Sequence, residues 1–481
     1  MYFLYSLALS LLFLALLPYF VYQAARHGKY AGSFKERMGW LPESLRGDGR
    51  KTIWVHAVSV GEFLAARPLL DRLKSDLSGH RIVVSTTTLT GQRLARSHSN
   101  LFDGAFYFPF DWKFSVRRAL DQVNPSVVII LETELWPHFL GECRRRGVVT
   151  ILANGRISPR SLGRYQRVGS FVRRVIKDFS LMVMQSEADA ERAHQLGGAP
   201  GQVRVCGNLK YDILGDGAWG LGVRGETGAT SKEKSNPPLP TPNPYAEIDR
   251  QFALSSSPRL IAAGSTAPEE ENLLLAAFRL VRNHPGLEGT RLIIAPRHPE
   301  RFNQVASLIA RSGFTFARRS QAKVKSATEA RAARADLSFE TEFNGEDPTG
   351  PRAADVILLD TIGELAGIYR FAAVVFVGGS LVPRGGHNII EPAAFAKPII
   401  IGPHTENFRQ IVSDFERADA VVQISAEEDV VNSLARNLIC LLSDGEHARA
   451  IGERARDILL ANRGATECTV AAIREIMKIE D

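Results

Sequence analysis

The sequence predicts an α/β protein with two doubly wound parallel sheets. Short apolar runs alternate with amphipathic stretches over roughly 53–185, and the pattern restarts at about 260. Between the two series, residues 215–258 are rich in Gly, Pro, Ser and Thr, with NPPLPTPNP at 236–244, which reads as a linker or insertion. Polar residues gather where the apolar runs stop, in both halves. The 481 residues are enough for two domains of roughly 200 residues each.

Residues 1–22, MYFLYSLALSLLFLALLPYFVY, carry no charge and are about long enough to span a bilayer. Tyr2, Tyr5, Tyr19 and Tyr22 sit towards the two ends, and Arg26, His27, Lys29, Lys35 and Arg37 follow. Basic residues on that flank place the remainder in the cytoplasm, behind an uncleaved single-pass anchor. Pro18 keeps a deep monotopic anchor as the alternative. Strands are expected at 53–58, 81–85, 127–131, 148–153 and 181–185, with helices from 63 to 77 and from about 91. The second series has strands at 260–263, 291–296, 356–359, 374–377 and 399–401. A polar Ala/Arg/Glu-rich stretch at about 317–354 reads as a mobile surface insertion. The domains expected are an anchor at 1–22, a first Rossmann-like domain at 23–214, the linker at 215–258, and a second at 259–481 whose last helices are able to pack back. Two such halves suggest a cleft with ligand at the carboxyl ends of the strands.

Net charge is +7, which favours anionic partners. The basic clusters at 144–146 and 173–174 lack the interleaved aromatics of a single-strand binder, so no nucleic acid is expected. The four cysteines form no CxxC pair and no HExxH motif occurs. A reduced protein without a bound metal is the expectation.

The richest segment is the strand–turn–helix–strand pattern of 374–401. Its two glycine turns, Gly378-Gly379-Ser380 and Gly385-Gly386, allow close backbone approach to a ligand, and helix-start N–H groups attract phosphate. Glu391 lies where a carboxylate meets a ribose. An ordinary βαβ connection has the same pattern. In the first half, Glu62 follows a strand at a glycine turn and suits a general base, though a simple helix cap explains it equally. Glu132 and Glu134 stand just past a buried strand, and Lys210 offers an amine. Arg297 and His298 end a strand of the second half and suit a phosphate. Asp360 to Leu365 begins a helix after another.

Six motifs together identify a resemblance over nearly the whole chain: HAVSVGE at 56–62, ETELWP at 132–137, GNLKYD at 207–212, PRHPER at 296–301, DTIGEL at 360–365 and GGHNIIEPAA at 385–394. The chain resembles the Kdo transferases, which move 3-deoxy-D-manno-octulosonic acid (Kdo) from its CMP conjugate to a lipid A precursor. The resemblance implies an inverting glycosyltransferase of GT-B type, acceptor side first and donor side second, with CMP-Kdo as donor and no cofactor or metal. It makes Glu62 the base and assigns Glu132 and Lys210 to transition-state stabilisation. It assigns CMP contacts to Arg297, His298, Ile362, Gly363, Glu364, Asn388, Ile389, Ile390 and Glu391. The segments at 215–258 and 317–354 look longer than the family's core. The residues themselves also admit another GT-B enzyme using a UDP-sugar, or a membrane-tethered lipid-binding scaffold without turnover.

Overall fold

The computed structural model describes residues 2–27, 31–213, 245–257, 259–322, 354–427 and 429–478. Most of the expected linker at 215–258, and residues 323–353 of the expected insertion, lie outside the described residues. The chain divides into two units, Met1–Gly215 with Asn462–Asp481, and Asp216–Ala461.

The first unit holds a seven-stranded sheet in the order β3-β2-β1-β4-β5-β6-β7. Its strands are β1 (Thr52–His56), β2 (Arg81–Thr86), β3 (Gly104–Tyr107), β4 (Pro125–Leu131), β5 (Val149–Gly155), β6 (Leu181–Met184) and β7 (Val203–Val205). Every pairing is parallel. Such a sheet must bury both faces, which is why its central strands read as unbroken apolar runs. β1 shows the division. Ile53 and Val55 join one core with Phe63, Ala66, Leu69, Leu70 and Leu73 of the helix Val60–Asp76. Trp54 points the other way, against Phe106 and Phe139, and its indole N–H donates to Ser85 Oγ at 2.7 Å.

The second unit also holds a seven-stranded sheet, in the order β10-β11-β9-β8-β12-β13-β14. Its strands are β8 (Leu260–Thr266), β9 (Arg291–Pro296), β10 (Phe316–Arg318), β11 (Val356–Leu358), β12 (Val374–Val377), β13 (Ile399–Ile401) and β14 (Val422–Gln423). Again all pairings are parallel. In the first sheet the chain builds outward from β1 through β2 to β3 and then returns to the other side. In the second it runs from β8 through β9 to the edge strand β10, and β11 fills the place between β9 and β10 before the chain returns to the other side. The strand order therefore reverses between β1 and β4, and between β8 and β12. Such reversals open a crevice at the carboxyl ends of the strands.

Four strands lie outside the expected set: β3, β7, β10 and β14. All four are sheet edges, where one flank meets solvent and the continuous apolar signal is lost. β10 also corrects the start of the expected insertion. Residues 316–318 belong to the sheet, and Arg319 is buried behind them.

The cysteines require a further correction. Cys206 and Cys468 form a disulfide across 262 residues, a pairing that local spacing does not reveal. Cys143 and Cys440 are free. The bond joins the end of β7 to the helix Ala465–Met477, which packs into the first unit through Val470, Ala472 and Ile473. Asp212 caps that helix, accepting from Gly464 N at 2.9 Å and Thr466 N at 2.6 Å.

The N-terminal run forms a helix, Tyr2–His27, with Pro18 inside it. Among the described residues no helix is long and apolar enough to cross a membrane. The structure thus gives no support to a single-pass span. One face of the helix is docked on the first unit: Tyr5 donates to Asp111 at 2.9 Å, Ser6 shares a hydrogen bond with His138 at 2.7 Å, and Trp112 donates to Ser10 at 3.2 Å.

Truncating Ile473, which is fully buried, to alanine is expected to destabilise the first unit by about 2–5 kcal/mol. A urea unfolding midpoint that does not move would show that the helix Ala465–Met477 contributes nothing to that core.

Candidate active site

In the first unit the functional side chains meet at the reversal between β1 and β4. After β1 the chain runs extended to Ser59, which caps the helix Val60–Asp76 by accepting from Glu62 N at 3.4 Å. The Glu62 carboxylate in turn accepts from Val58 N at 2.7 Å and from Ser59 Oγ at 3.0 Å. Glu62 is therefore a cap, and the cap aims it. Burial pushes its carboxyl up to about 7, and the Glu132 charge adds to the push. A carboxyl tuned to that range suits proton abstraction near neutral pH.

Glu132 follows β4 directly and takes φ 57. The left-handed region is costly for a residue with a side chain, and such strain gathers at functional sites. Its N–H is held by Ala153 O at 2.9 Å. Lys210 arrives from the far edge of the sheet. After β7, Gly207 turns at φ 95 and the loop runs back over β6 to β5. There Leu209 N donates to Asn154 Oδ1 at 3.0 Å, and Lys210 N donates to Asn208 Oδ1 at 3.0 Å. Lys210 Nζ then reaches Glu132 Oε1 at 2.9 Å. The structure brings Glu62, Glu132 and Lys210 together, as the motifs imply.

Glu134 joins this group. Burial, with the Glu132 charge, pushes its carboxyl up to about 7. Glu62 and Glu134 thus hold protons that isolated carboxyls release, each pushed by burial and by the charge of Glu132. His56 is fully buried. It stacks on Phe108 with ring centroids 3.9 Å apart, and burial lowers its imidazole to about 3.

In the second unit the expected residues stand at the carboxyl ends of neighbouring strands. Arg297 and His298 are exposed just past β9, His298 beside Glu300 at 3.9 Å. Beyond β12, Gly378 packs so closely on Ser265 O and Thr266 Cα that a Cβ would fall 2.7 Å from each. A buried carboxylate that sequence reasoning missed shapes this turn. Glu270 accepts from the N–H groups of Ala267, Gly379, Ser380 and Leu381 at 2.7–2.9 Å. In sequence it belongs to an acidic run at a helix start, which looks like surface.

Asn388 donates to Glu391 at 3.3 Å and accepts from Ile390 N at 3.1 Å. Burial raises the Glu391 carboxyl, while Asn388 and the nearby Arg297 charge pull it back. Burial, then Arg297 and His298, lower His387 to about 4. Arg297, His298, His387 and Glu391 thus form one electrostatic group.

Two expectations change here. The helix after the second glycine turn is short, Ile390–Ala394, and Asn388 already occupies the Ile390 N–H. Glu270 likewise occupies the N–H groups of Gly379, Ser380 and Leu381 in the first glycine turn. The Ile389 and Ile390 side chains are buried core, so any ligand contact there comes from backbone. Past β11, Ile362 is 81% exposed and Gly363 has φ 89. Glu364 is fixed by Arg319 at 2.9 and 3.2 Å. Arg319 was hidden from sequence reasoning by the composition of the polar stretch. Among the described residues no group of three or more His, Cys, Asp or Glu side chains is placed to hold a metal.

A family model described as 3-deoxy-D-manno-octulosonic-acid transferase matches residues 32–213. The 3-deoxy-D-manno-octulosonic acid transferase of Haemophilus influenzae is 32% identical over 86% of this chain and 84% of its own length. The chain belongs to the Kdo transferase family. Membership makes it a glycosyltransferase. The Bordetella pertussis Kdo transferase is 28% identical over 88% of this chain and 87% of its own. Among solved structures, the UDP-GlcNAc 2-epimerase of Neisseria meningitidis matches with a TM-score of 0.53 and 11% identity, over 88% of this chain and 100% of that one. At that identity the likeness shows the fold alone, an α/β architecture shared with glycosyltransferases such as one from Rickettsia africae, with a TM-score of 0.51 and 13% identity over 90% of this chain and 100% of that one.

The raised carboxyl has a thermodynamic signature. In the folded protein Glu62 binds its proton more tightly than in the unfolded chain, so its contribution to stability is complete below about pH 4.5 and is lost as pH rises through about 7. Glu62→Gln removes that loss. Its unfolding free energy is expected to gain on the parent's between pH 5 and 8, measured by urea unfolding at each pH. A constant difference across that range would rule out the raised carboxyl.

Proposed function

We propose that the enzyme transfers Kdo from CMP-Kdo to a glucosamine hydroxyl of a lipid A precursor, with inversion at the anomeric carbon and release of CMP. The observation that carries this reading is the meeting of Glu62, Glu132 and Lys210 at the β1/β4 reversal, in a chain of the Kdo transferase family. The first unit supplies the acceptor side and the second the CMP side. Glu62 takes the proton of the acceptor hydroxyl. The oxygen so released forms a bond to the anomeric carbon, and the bond from that carbon to the CMP phosphate oxygen breaks. Lys210 and Arg297 offset the charge that develops during this exchange. Glu132 holds Lys210 in place and keeps Glu62 basic through its charge. His298, Ile362, Gly363, Glu364 and the 388–391 segment frame the nucleotide. The step is assigned wholly to these side chains, with no cofactor. The acceptor is a lipid, and we place the enzyme on the cytoplasmic face of the inner membrane, attached through the helix Tyr2–His27.

The direct test is incubation with fresh CMP-Kdo and a tetraacylated lipid A precursor, followed by mass spectrometry of the lipid. A mass gain of one or more Kdo units is expected. No gain, with the donor intact and a known transferase active in parallel, would refute the proposal. Glu62→Gln is expected to lower turnover by about 10²–10⁴-fold while CMP binding stays within twofold. Because the base must be ionised, turnover of the parent should fall as pH drops through about 7. Undiminished turnover of the variant would remove Glu62 from the chemistry.

A further inference from the structure

The first unit carries a cavity of about 900 Å³ whose lining includes none of Glu62, Glu132, Glu134 and Lys210. Six basic side chains line it, Lys113, Arg144, Arg145, Arg173, Arg174 and Lys177, against the acidic Glu142 and Asp178. Both carboxylates are already engaged. Asp178 pairs with Arg144 at 3.0 Å, and Glu142 pairs with Arg145 at 2.5 Å and with Arg117 at 3.1 Å. Lys113, Arg173 and Lys177 are exposed and have no ion pair among the described residues. The cavity therefore presents surplus positive charge.

One wall of it is Tyr2 of the N-terminal helix, with the Arg174 guanidinium 5.7 Å from its ring. That helix has two faces. Tyr2, Tyr5, Ser6, Leu9, Ser10 and Phe13, at helical spacing, are half-buried against the domain. Phe3, Leu4, Leu7, Leu11, Leu12 and Leu14 are 46–77% exposed. Contacts with the domain run along the helix, from Tyr2 to Asp178 at 3.2 Å, through Tyr5 to Asp111, to Phe13 on Trp112 with centroids 4.9 Å apart. A helix leaving the domain to cross a bilayer would carry its first turns away from these partners. A helix lying along the domain turns its apolar ridge sideways, as interfacial helices do.

We infer that this cavity binds the phosphate of an anionic membrane lipid while the ridge of the adjoining helix lies in the plane of the same leaflet. Positive charge beside an apolar ridge matches the two layers of a lipid surface, anionic headgroups over acyl chains. The occupant is a lipid phosphate, because the ridge delivers the cavity to headgroup depth. The inference rests on the membrane attachment proposed above and is independent of the transfer reaction, since its readout is binding.

The test uses the full chain in vesicle flotation, with phosphatidylcholine alone and with phosphatidylglycerol added. Binding is expected to rise at least fivefold on the anionic vesicles. The double variant Arg173→Gln/Lys177→Gln should return it to the phosphatidylcholine level, with an unchanged circular dichroism spectrum. If the variant floats like the parent, the cavity is not the lipid site. Displacement by millimolar inorganic phosphate would make it a free-anion site and overturn the lipid assignment. A protein that floats with neither vesicle defeats the attachment itself. Depth is read separately, from quenching of Phe3→Trp and Leu14→Trp by brominated lipids. Equal shallow depths are expected. A difference near 16 Å, about 1.5 Å for each of the intervening residues, would mean a crossing helix and overturn the in-plane placement.

Discussion

A carboxylate taken out of water must be met by donors or by opposite charge, and the two units are organised around that requirement. Glu270 answers it with four backbone N–H groups, which pull its carboxyl back against the upward push of burial, and so acts as a structural post for the glycine turn after β12. Glu132 meets it with the Lys210 ammonium. Glu62 has only one N–H and one hydroxyl, with the Glu132 charge nearby, and its carboxyl is driven towards neutrality. The least satisfied of the three is the one whose proton affinity suits chemistry. Its neighbours are held firmly enough to keep it so.

The central strands were legible because both faces of a parallel sheet are covered, and their residues read as apolar without interruption. The four edge strands were not, because solvent on one flank breaks that signal. For the site, position at a strand end pointed to Glu62 and Glu132. The path of Lys210 could not be read, since it depends on a loop crossing from β7 to Asn154 at the end of β5. The roles of Glu270 and Arg319 were equally hidden. Each sits in a charged stretch that resembles solvated surface, and only the fold turns it inward. The Cys206–Cys468 bond has the same origin, since the fold and not the spacing brings β7 and the last helix together.

The N-terminal segment carries a pattern beneath its average apolarity. Over 1–22 the run looks uniform, and its tyrosines read as interfacial. The informative residues are the hydroxyl groups of Tyr2, Tyr5, Ser6 and Ser10, which recur at helical spacing and find partners on the domain. Asp111 is the buried receptor of this docking, accepting also from His138 N and Phe139 N, and burial pushes its carboxyl up to about 7. A polar seam inside an apolar helix marks the side that stays on the protein.

The helix Ala465–Met477 sets an order on the making of the molecule. It belongs to the first unit, yet it is encoded after the whole of the second. As the chain leaves the ribosome, the β1–β7 sheet lacks Val470, Ala472 and Ile473 from its core, and Asp212 lacks the N–H groups it caps. The second unit has all of its strands and helices in continuous sequence and can complete its fold first. The first unit begun is thus the last finished, and until the final residues arrive the loop bearing Lys210 has no helix behind it.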